Sequence, residues 1–471
     1  MAETIGDALV LTLKRGASLK EWRDAGLLAR EWALYQRLTD DYGKIVLVTW
    51  GDREDEAIFA ENRGLFGENV SLLCNAEGLE TDRYRVAVIE RAAALLGDAK
   101  RIVIKTNQMA GGELAVRLAR RLRERGHRVG LIARGGFLVS RFLSSERGPA
   151  SVEAKRAGGE EAELCRAADL IIGTSPAMIG DLAWRYGLEP ERMREIPNYV
   201  LVDDTPIVTH EASERTPGSI LYAGQLVERK RIDLIIESIA DLPESTRETA
   251  HLTVIGEGPE RDNLERLAGS LGVSAEFKPR MSHEELRELY TRTCIYAQMS
   301  RLEGHPKTVL EAMAAGCAVV VAQAPGLASA VQHGVTGLVV PPQTDAIAHT
   351  FDALLGDEEM RLSFGLAAHD HVRQRYGLDR VISRERAAHT EALKNAGFGA
   401  TVPSELVRWD PELLLVEPAL GASAIWAGLS SLGQQMGEDD RCRLLERLGE
   451  LLDAENSVRA QMRERAEQRR A

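Results

Sequence analysis

Short runs of apolar residues alternate with helical patterns in the N-terminal part of the chain. The apolar runs cover residues 8–13, 44–50, 70–74, 101–106, 128–134 and 170–175. Strands that are separated by helices form a parallel sheet with helices on both faces. The pattern therefore predicts an α/β, Rossmann-like domain.

The alternation stops at a polar, turn-rich segment and then resumes. Pro206, Pro217 and Gly218 mark this segment as an interdomain linker. The second series of apolar runs covers residues 219–224, 252–256, 295–299, 318–322 and 337–341. We therefore predict two Rossmann-like domains, over residues 1–205 and 206–376.

Helical patterns dominate after the last apolar run. We predict a helix within residues 377–399 and a helical extension of unknown role over residues 400–471. Leucines recur at helical spacing near the C-terminus, at 444, 445, 448, 451 and 452. This amphipathic pattern could pack on the body of the protein or mediate self-association.

Composition and charge limit the classes of partner. The chain has 471 residues, 44% hydrophobic and 28% charged, with a formal net charge of -13. Nucleic-acid binding requires a basic face, so no nucleic-acid partner is expected. No stretch reaches the roughly 20 apolar residues that span a bilayer. The run at 8–13 is too short for a signal peptide, which favours a cytoplasmic protein.

A predicted basic helix over residues 113–125 bears on membrane contact. Its arginines could touch anionic lipid headgroups at the inner face of a membrane. A solvated helix face is the favoured interpretation. Any membrane contact is therefore expected to be peripheral.

The most informative segment covers residues 300–316. Pro306 fits the first position of a short helix and Gly316 fits the residue just after its end. The first N–H groups of such a helix have no partner within it, and the helix dipole makes this end attractive to a diphosphate. Here these groups belong to Lys307, Thr308 and Val309.

Two carboxylates flank this helix start. Glu303 lies in the loop before the helix, and Glu311 lies about a turn and a half inside it. Next to a bound diphosphate, carboxylates are useful as acceptors for sugar and ribose hydroxyls. The alternative is an ordinary amphipathic helix with solvated acidic residues. The surrounding Glu-Gly-X-Pro and Glu-Ala-Met-Ala-X-Gly patterns favour the ligand site.

The segment resembles the signature of the retaining glycosyltransferases of family 4, in which two glutamates with seven residues between them flank the donor. The resemblance implies a GT-B fold, with two Rossmann-like domains facing a cleft and residues 377–399 returning toward the N-terminal domain. It implies hexosyltransferase-like transfer from a nucleoside diphosphate sugar, with retention of anomeric configuration and without a metal ion.

The resemblance also implies residue roles. Glu303 is expected to bind the sugar hydroxyls and Lys230 the diphosphate, as the catalytic residues, while Glu311 binds the ribose. The other donor-binding candidates are Gln225, Gly26, Gly256, Gly304, His305, Lys307 and Thr308. Loops after two strands of the first domain supply the acceptor-binding candidates Asn107 and Arg134. The acceptor is expected to be a carbohydrate, a lipid-linked molecule or a small molecule.

Several positions depart from the family pattern. Gln225 replaces an arginine, Leu27 replaces the second glycine of a pair, and His305 replaces an apolar residue. The region of Arg134 lacks the histidine that the family often has there. Two nearby residues could supply the charge missing at position 225, namely Arg229 and Arg231. These departures leave open a catalytically degenerate nucleotide-sugar-binding or scaffolding protein.

The sequence gives no signal for metal ligation. His369 and His371 are two positions apart on a predicted helix, so they face different sides. No Asp-X-Asp motif occurs. No metal ion or cofactor is expected besides the donor substrate.

Overall fold

The first domain is built on a seven-stranded parallel sheet. The computed structural model describes residues 4–188, 190–202 and 215–397. The strands are β1 (Gly6–Thr12), β2 (Tyr42–Val48), β3 (Val70–Leu73), β4 (Arg101–Thr106), β5 (Arg128–Gly135), β6 (Leu170–Gly173) and β7 (Met193–Glu195). Their order is β3-β2-β1-β4-β5-β6-β7.

Helices cover both faces of this sheet. They are α1 (Leu19–Asp24), α2 (Leu28–Gln36), α3 (Arg53–Glu61), α4 (Arg63–Phe66), α5 (Thr81–Leu95), α6 (Glu113–Glu124), α7 (Val139–Arg147), α8 (Val152–Ala167) and α9 (Pro176–Tyr186). Alternate residues of β1 enter opposite cores, with Ala8 and Val10 in one and Leu9 and Leu11 in the other. Burial on both faces explains why the strands are continuous apolar runs.

The second domain repeats this plan with six parallel strands. They are β8 (Ser219–Ala223), β9 (His251–Ile255), β10 (Ala275–Lys278), β11 (Ile295–Gln298), β12 (Ala318–Ala322) and β13 (Leu338–Val340), in the order β10-β9-β8-β11-β12-β13. The helices that follow β8 are α10 (Ile232–Ala240), α11 (Glu244–Arg247), α12 (Arg261–Leu271), α13 (His283–Thr291), α14 (Lys307–Ala314), α15 (Thr344–Gly356), α16 (Glu358–Tyr376) and α17 (Leu378–Lys394).

The last described helix, α17, packs on the first sheet. A Cβ added to Gly130 of β5 would lie 2.6 Å from the backbone carbonyl carbon of Ala392. Val200, after the first domain, bridges to Gly377, so the two chain crossings between the domains lie side by side. The structure therefore ties both domains together through two adjacent connections.

The prediction of a two-domain α/β fold is confirmed, but two strands were missed. β7 and β10 are short, carry charged residues and lie at the sheet edges. Charged residues occupy two of the three positions of β7 and two of the four positions of β10, so neither sequence contains an apolar run like those that identified the other strands. The predicted extension over residues 400–471 lies outside the described residues.

Three arginines of the basic segment form ion pairs with neighbouring carboxylates. Arg121 and Arg125 both contact Glu90, at 2.8 Å and 2.9 Å, and Arg117 contacts Glu113 at 2.5 Å. The favoured interpretation, a solvated helix face, stays a prediction. Within the described ranges, no helix is both long and apolar enough to cross a bilayer.

Candidate active site

A cavity of about 500 Å³ lies between the two domains. In both sheets the strand order reverses direction at a central pair, β1 with β4 and β8 with β11. Open parallel sheets bind ligands outside the carboxyl ends of their strands at this point. Asn107 follows β4, Gln225 follows β8 and Glu303 follows β11, and all three line the cavity.

The candidate residues divide into two groups. Those that line the cavity are Asn107, Arg134, Gln225, Glu303, Gly304, His305 and Lys307. Those that do not line it are Gly26, Lys230, Gly256, Thr308 and Glu311. The structure thus brings most of the candidates to one cleft.

Glu303 is the centre of a hydrogen-bonded cluster. Its Oε1 accepts from Lys230 Nζ at 2.5 Å, from Gln298 Nε2 at 3.0 Å and from Arg229 Nη1 at 3.3 Å. Gln298 is buried at the end of β11, and its Oε1 accepts from Thr308 Oγ1 at 3.2 Å. Three donors from different segments therefore fix the orientation of this carboxylate.

Arg229 supplies a cation near the position where Gln225 lacks one. The Arg229 guanidinium lies 4.6 Å from the ring centroid of Phe142 and donates to the carbonyl oxygen of Leu302 at 3.0 Å. Arg231 instead forms an ion pair with Asp233 at 2.9 Å. Of the two residues that could replace the missing arginine, only Arg229 lines the cavity.

The start of α14 differs from the prediction by one residue. Pro306 is the N-cap and not the first helical residue, because its carbonyl oxygen accepts the first helical bond, from Leu310 N at 3.3 Å. Gly316 follows the helix end with φ 70°, as predicted. The first turn leaves N–H groups without a partner inside the helix, so its positive end is available to an anion.

Glu311 is not among the residues that line the cavity and takes part in an interdomain ion pair. Its Oε1 accepts from Arg30 Nη1 of α2 at 3.0 Å and contacts His283 Nε2 at 3.1 Å. Its buried Oε2 has no hydrogen-bond partner. Burial opposes ionisation, but the Arg30 charge and the His283 contact together keep the pKa of Glu311 below its usual value.

The same network continues to the cavity wall. Arg30 also contacts Glu31 at 2.9 Å, and Lys307 Nζ contacts Glu31 at 2.7 Å. Burial alone would raise the pKa of Glu31, but Lys307 and Arg30 outweigh it and hold the pKa at about 2. Charges of alternating sign therefore link α2 of the first domain to α14 of the second.

Three glycine candidates allow close approach of backbone to backbone. An added Cβ at Gly304 would lie 2.2 Å from the carbonyl oxygen of Gly136 in the opposite domain. At Gly26, which has φ +66°, a Cβ would lie 3.2 Å from Ser282 Cα, also across the domain interface. At Gly256 it would lie 1.9 Å from a backbone oxygen in the neighbouring loop after β8. Gly26 and Gly256 therefore shape the cleft without lining it.

Arg134 and His305 face each other across an asparagine. Arg134 Nη2 donates to Asn198 Oδ1 at 2.9 Å, and Asn198 Nδ2 donates to the carbonyl oxygen of His305 at 3.0 Å. Arg134 Nη1 also donates to the carbonyl oxygen of Asn107 at 3.2 Å. Burial, with help from nearby cations, lowers the pKa of His305 to about 3, so its ring is neutral at neutral pH.

No sequence pattern indicated a role for Glu31, Tyr35 and Phe142, which line the cavity. Gln108, Phe137 and Asn198, from segments predicted to lie at the cleft, line it as well. Gln298, behind the wall, could have been found as a polar residue that ends an apolar strand. In the described part of the chain, no group of three or more histidine, cysteine, aspartate and glutamate residues could hold a metal ion.

Comparison with known proteins agrees with this architecture. Residues 207–371 match the family model described as glycosyl transferases group 1. A D-inositol 3-phosphate glycosyltransferase of Streptomyces bingchenggensis is 27% identical over 260 residues, which cover 51% of this chain and 56% of that protein. An uncharacterised glycosyltransferase of Methanocaldococcus jannaschii is 32% identical over 181 residues, 38% of this chain and 46% of that protein. The chain thus spans about half the length of these relatives.

Solved structures share the fold over most of the described chain. Anabaena HepE in complex with UDP and glucose has a TM-score of 0.62 at 16% identity, covering 80% of this chain and 98% of that one. A sucrose-phosphate synthase from Thermosynechococcus elongatus has a TM-score of 0.61 at 18% identity. This match covers 84% of this chain and 100% of that one. The fold is GT-B, as predicted. The part of the chain that matches the family model of glycosyl transferases group 1 corresponds to the second domain.

Proposed function

We propose that this protein is a retaining glycosyltransferase that transfers a sugar from a nucleoside diphosphate sugar to an acceptor. The observation that carries the proposal is the cluster around Glu303, next to the start of α14, at the ligand-binding edge of the second sheet. The match of residues 207–371 to glycosyl transferases group 1 supports the same activity.

The donor site follows from the charges of the second domain. The diphosphate is proposed to lie at the N–H groups of α14, near Lys230 and Arg229. The unpartnered Oε2 of Glu311 is proposed to accept a ribose hydroxyl, and Glu303 the hydroxyls of the transferred sugar. Because Lys230 and Arg229 already neighbour Glu303, they are positioned to neutralise the leaving diphosphate as the glycosidic bond breaks.

The first domain is proposed to hold the acceptor. Its loops contribute Asn107 and Arg134 to the opposite wall of the cavity, together with the aromatic rings of Phe137 and Phe142. The names of the relatives include enzymes acting on inositol phosphate and on lipopolysaccharide core. A carbohydrate, lipid-linked or small-molecule acceptor is therefore proposed.

The test is turnover of a panel of nucleoside diphosphate sugars by the purified protein, with and without a chelator. Glu303→Gln should lower turnover by roughly a hundredfold or more and change nucleoside diphosphate affinity little, because it acts near the transition state. Glu311→Gln should instead weaken nucleotide binding. Glu288→Gln, at an exposed position of the same domain, is the matched control.

Each outcome of this test has a clear consequence. Donor binding without hydrolysis or transfer would favour the alternative of a degenerate nucleotide-sugar-binding protein. Loss of activity with chelator would contradict the proposed metal-independent mechanism. Wild-type kinetics in both Glu303→Gln and Glu311→Gln would overturn the proposed site.

A further inference from the structure

Arg134 is a buried cation with no carboxylate partner. The residue is 8% exposed, lies in β5 near its carboxyl end and lines the cavity. Its partners are the neutral oxygens of Asn107 and Asn198, and its Nε has no hydrogen-bond partner. It forms no ion pair with any carboxylate of residues 4–188, 190–202 and 215–397.

The other cations that line the cavity each contact a carboxylate. Lys307 contacts Glu31 at 2.7 Å, and Arg229 contacts Glu303 at 3.3 Å. A buried charge is costly unless it is paired, so an arginine without a counter-ion in a cleft is adapted to an anion that arrives with a ligand.

Glu385, a buried carboxylate whose pKa is lowered in part by Arg134, is paired with another cation. Glu385 of α17 binds Lys105 Nζ at 2.7 Å, and both side chains are almost completely inaccessible to solvent. Lys105 lowers the pKa of Glu385 more than Arg134 does. Glu385 therefore completes its own pair and does not serve as the counter-ion of Arg134.

His305, which also lines the cavity, adds a second polar atom without a partner. The residue is 8% exposed, and its Nδ1 has no hydrogen-bond partner. The Asn198 amide connects Arg134 to the backbone of His305, since its oxygen accepts from Arg134 and its nitrogen donates to the carbonyl oxygen of His305. Arg134 and His305 are thus held next to the same asparagine.

We propose that Arg134 and His305 form a subsite for a carboxylate or phosphate group of a substrate. This inference rests on the proposed function. Arg134 would bind the anionic oxygens, and His305 Nδ1 a neighbouring hydroxyl. The planar guanidinium suits a two-oxygen anion better than a lysine does. The diphosphate is served separately by the start of α14 with Lys230 and Arg229, so Arg134 determines which sugar or acceptor is used.

The anion can come from two sources. It is either the carboxylate of an acidic transferred sugar or the phosphate of a phosphorylated acceptor. Both sources offer Arg134 anionic oxygens. They differ in whether the anion is attached to the donor or to the acceptor. The experiment therefore needs one probe for each source.

The test uses isothermal titration calorimetry on the full-length wild type, Arg134→Met, Arg134→Lys and the surface control Arg53→Met. Arg53 is exposed and donates to the carbonyl oxygen of Ala76. UDP, GDP and ADP first identify the base that binds. The corresponding nucleoside diphosphate glucose and glucuronic acid are then compared, and inorganic phosphate is titrated onto protein saturated with the nucleoside diphosphate.

If the anion belongs to the sugar, the wild type prefers the glucuronic acid donor by about tenfold or more, and Arg134→Met loses this preference. If it belongs to the acceptor, both donors bind alike, and phosphate binding is lost in Arg134→Met. In either case Arg134→Lys is intermediate and Arg53→Met behaves as wild type. Thermal unfolding of each variant checks that it is folded.

Three results would overturn the inference. In the first, the wild type shows neither a preference for the glucuronic acid donor nor phosphate binding. In the second, Arg134→Met retains the donor preference or the phosphate binding that the wild type shows. A loss of affinity for the nucleoside diphosphate alone in Arg134→Met would make Arg134 a diphosphate ligand instead. Absence of any nucleotide binding by the wild type would overturn the proposed function itself, and the inference with it.

Discussion

Single residues at the cleft act in pairs whose partners come from distant parts of the chain. Lys230 donates to Glu303, so the cation that is proposed to meet the diphosphate also orients the carboxylate that is proposed to meet the sugar. Gln298 holds Glu303 from the other side. Substitution of Lys230 should therefore disturb both functions, diphosphate binding and the orientation of Glu303.

Lys230→Ala tests this at the residue scale. Loss of a charge-assisted contact should weaken nucleoside diphosphate binding by roughly 1.5 to 3 kcal/mol. Titration calorimetry with the nucleoside diphosphate measures this loss of binding free energy. Lys278→Ala, on β10 of the same domain, is the control. Equal affinity in Lys230→Ala and wild type would remove Lys230 from the donor site.

Among the elements, α17 has the most informative attachment. Lys105 of β4 and Glu385 of α17 form a fully buried ion pair, and Lys105 Nζ lies 5.2 Å from the ring centroid of Tyr35, which lines the cavity. Burial lowers the pKa of Lys105 to about 8 despite the neighbouring carboxylate. The helix is thus attached directly behind the wall of the cleft.

Removing one partner of this pair should be more harmful than removing both. Glu385→Leu leaves a buried lysine uncompensated and should cost about 3 to 5 kcal/mol, whereas adding Lys105→Met to it should recover much of that loss. Denaturant unfolding of the single and double variants gives the coupling. Additive effects of the two substitutions would mean that the pair does not stabilise the attachment of α17.

The whole molecule depends on how closely the two domains approach each other. Gly304 touches Gly136 across the cleft, and Arg30 reaches Glu311 from the other domain. Both contacts exist only when the domains are close together. Closure of this kind excludes water from a reaction site.

Gly304→Ala should keep the domains apart, because the added methyl group would lie 2.2 Å from Gly136 O. We expect a larger radius of gyration in small-angle scattering and a lower transfer rate, with both domains folded. Gly269→Ala in α12 is the matched control, since a Cβ there meets nothing within 4 Å. Unchanged scattering and turnover in Gly304→Ala would show that the contact is not required for closure.

The interdomain charges also predict a pH dependence. Because the pKa of Glu31 falls from 4.5 to about 2 on folding, its contribution is complete above pH 4.5 and is lost as the pH falls toward 2. It amounts to up to about 3 kcal/mol. Thermal unfolding of Glu31→Gln should therefore show a flatter pH profile in this range than wild type. Parallel profiles would contradict the role of Glu31.

The sequence by itself determined the elements and much of the donor site. Strand and helix periods depend on local burial, so runs such as Arg101–Thr106 and Ala318–Ala322 were predicted with the observed bounds. The segment around Glu303 was recognisable because its loop, helix start and helix end are neighbours in the chain. The strands β7 and β10 were not predicted because charged residues interrupt their short apolar pattern.

Only the tertiary structure decided which side chains meet. Glu311 and Arg30, which form an ion pair, are 281 positions apart in the sequence. Arg134 and its hydrogen-bond partner Asn198 are 64 positions apart. Such contacts depend on the packing of two domains and on the return of the chain through α17. The local pattern of apolar and polar residues contains no information on either. The sequence therefore determined which chemical groups the cleft could use, and the domain packing decided which are paired and which are left for a ligand.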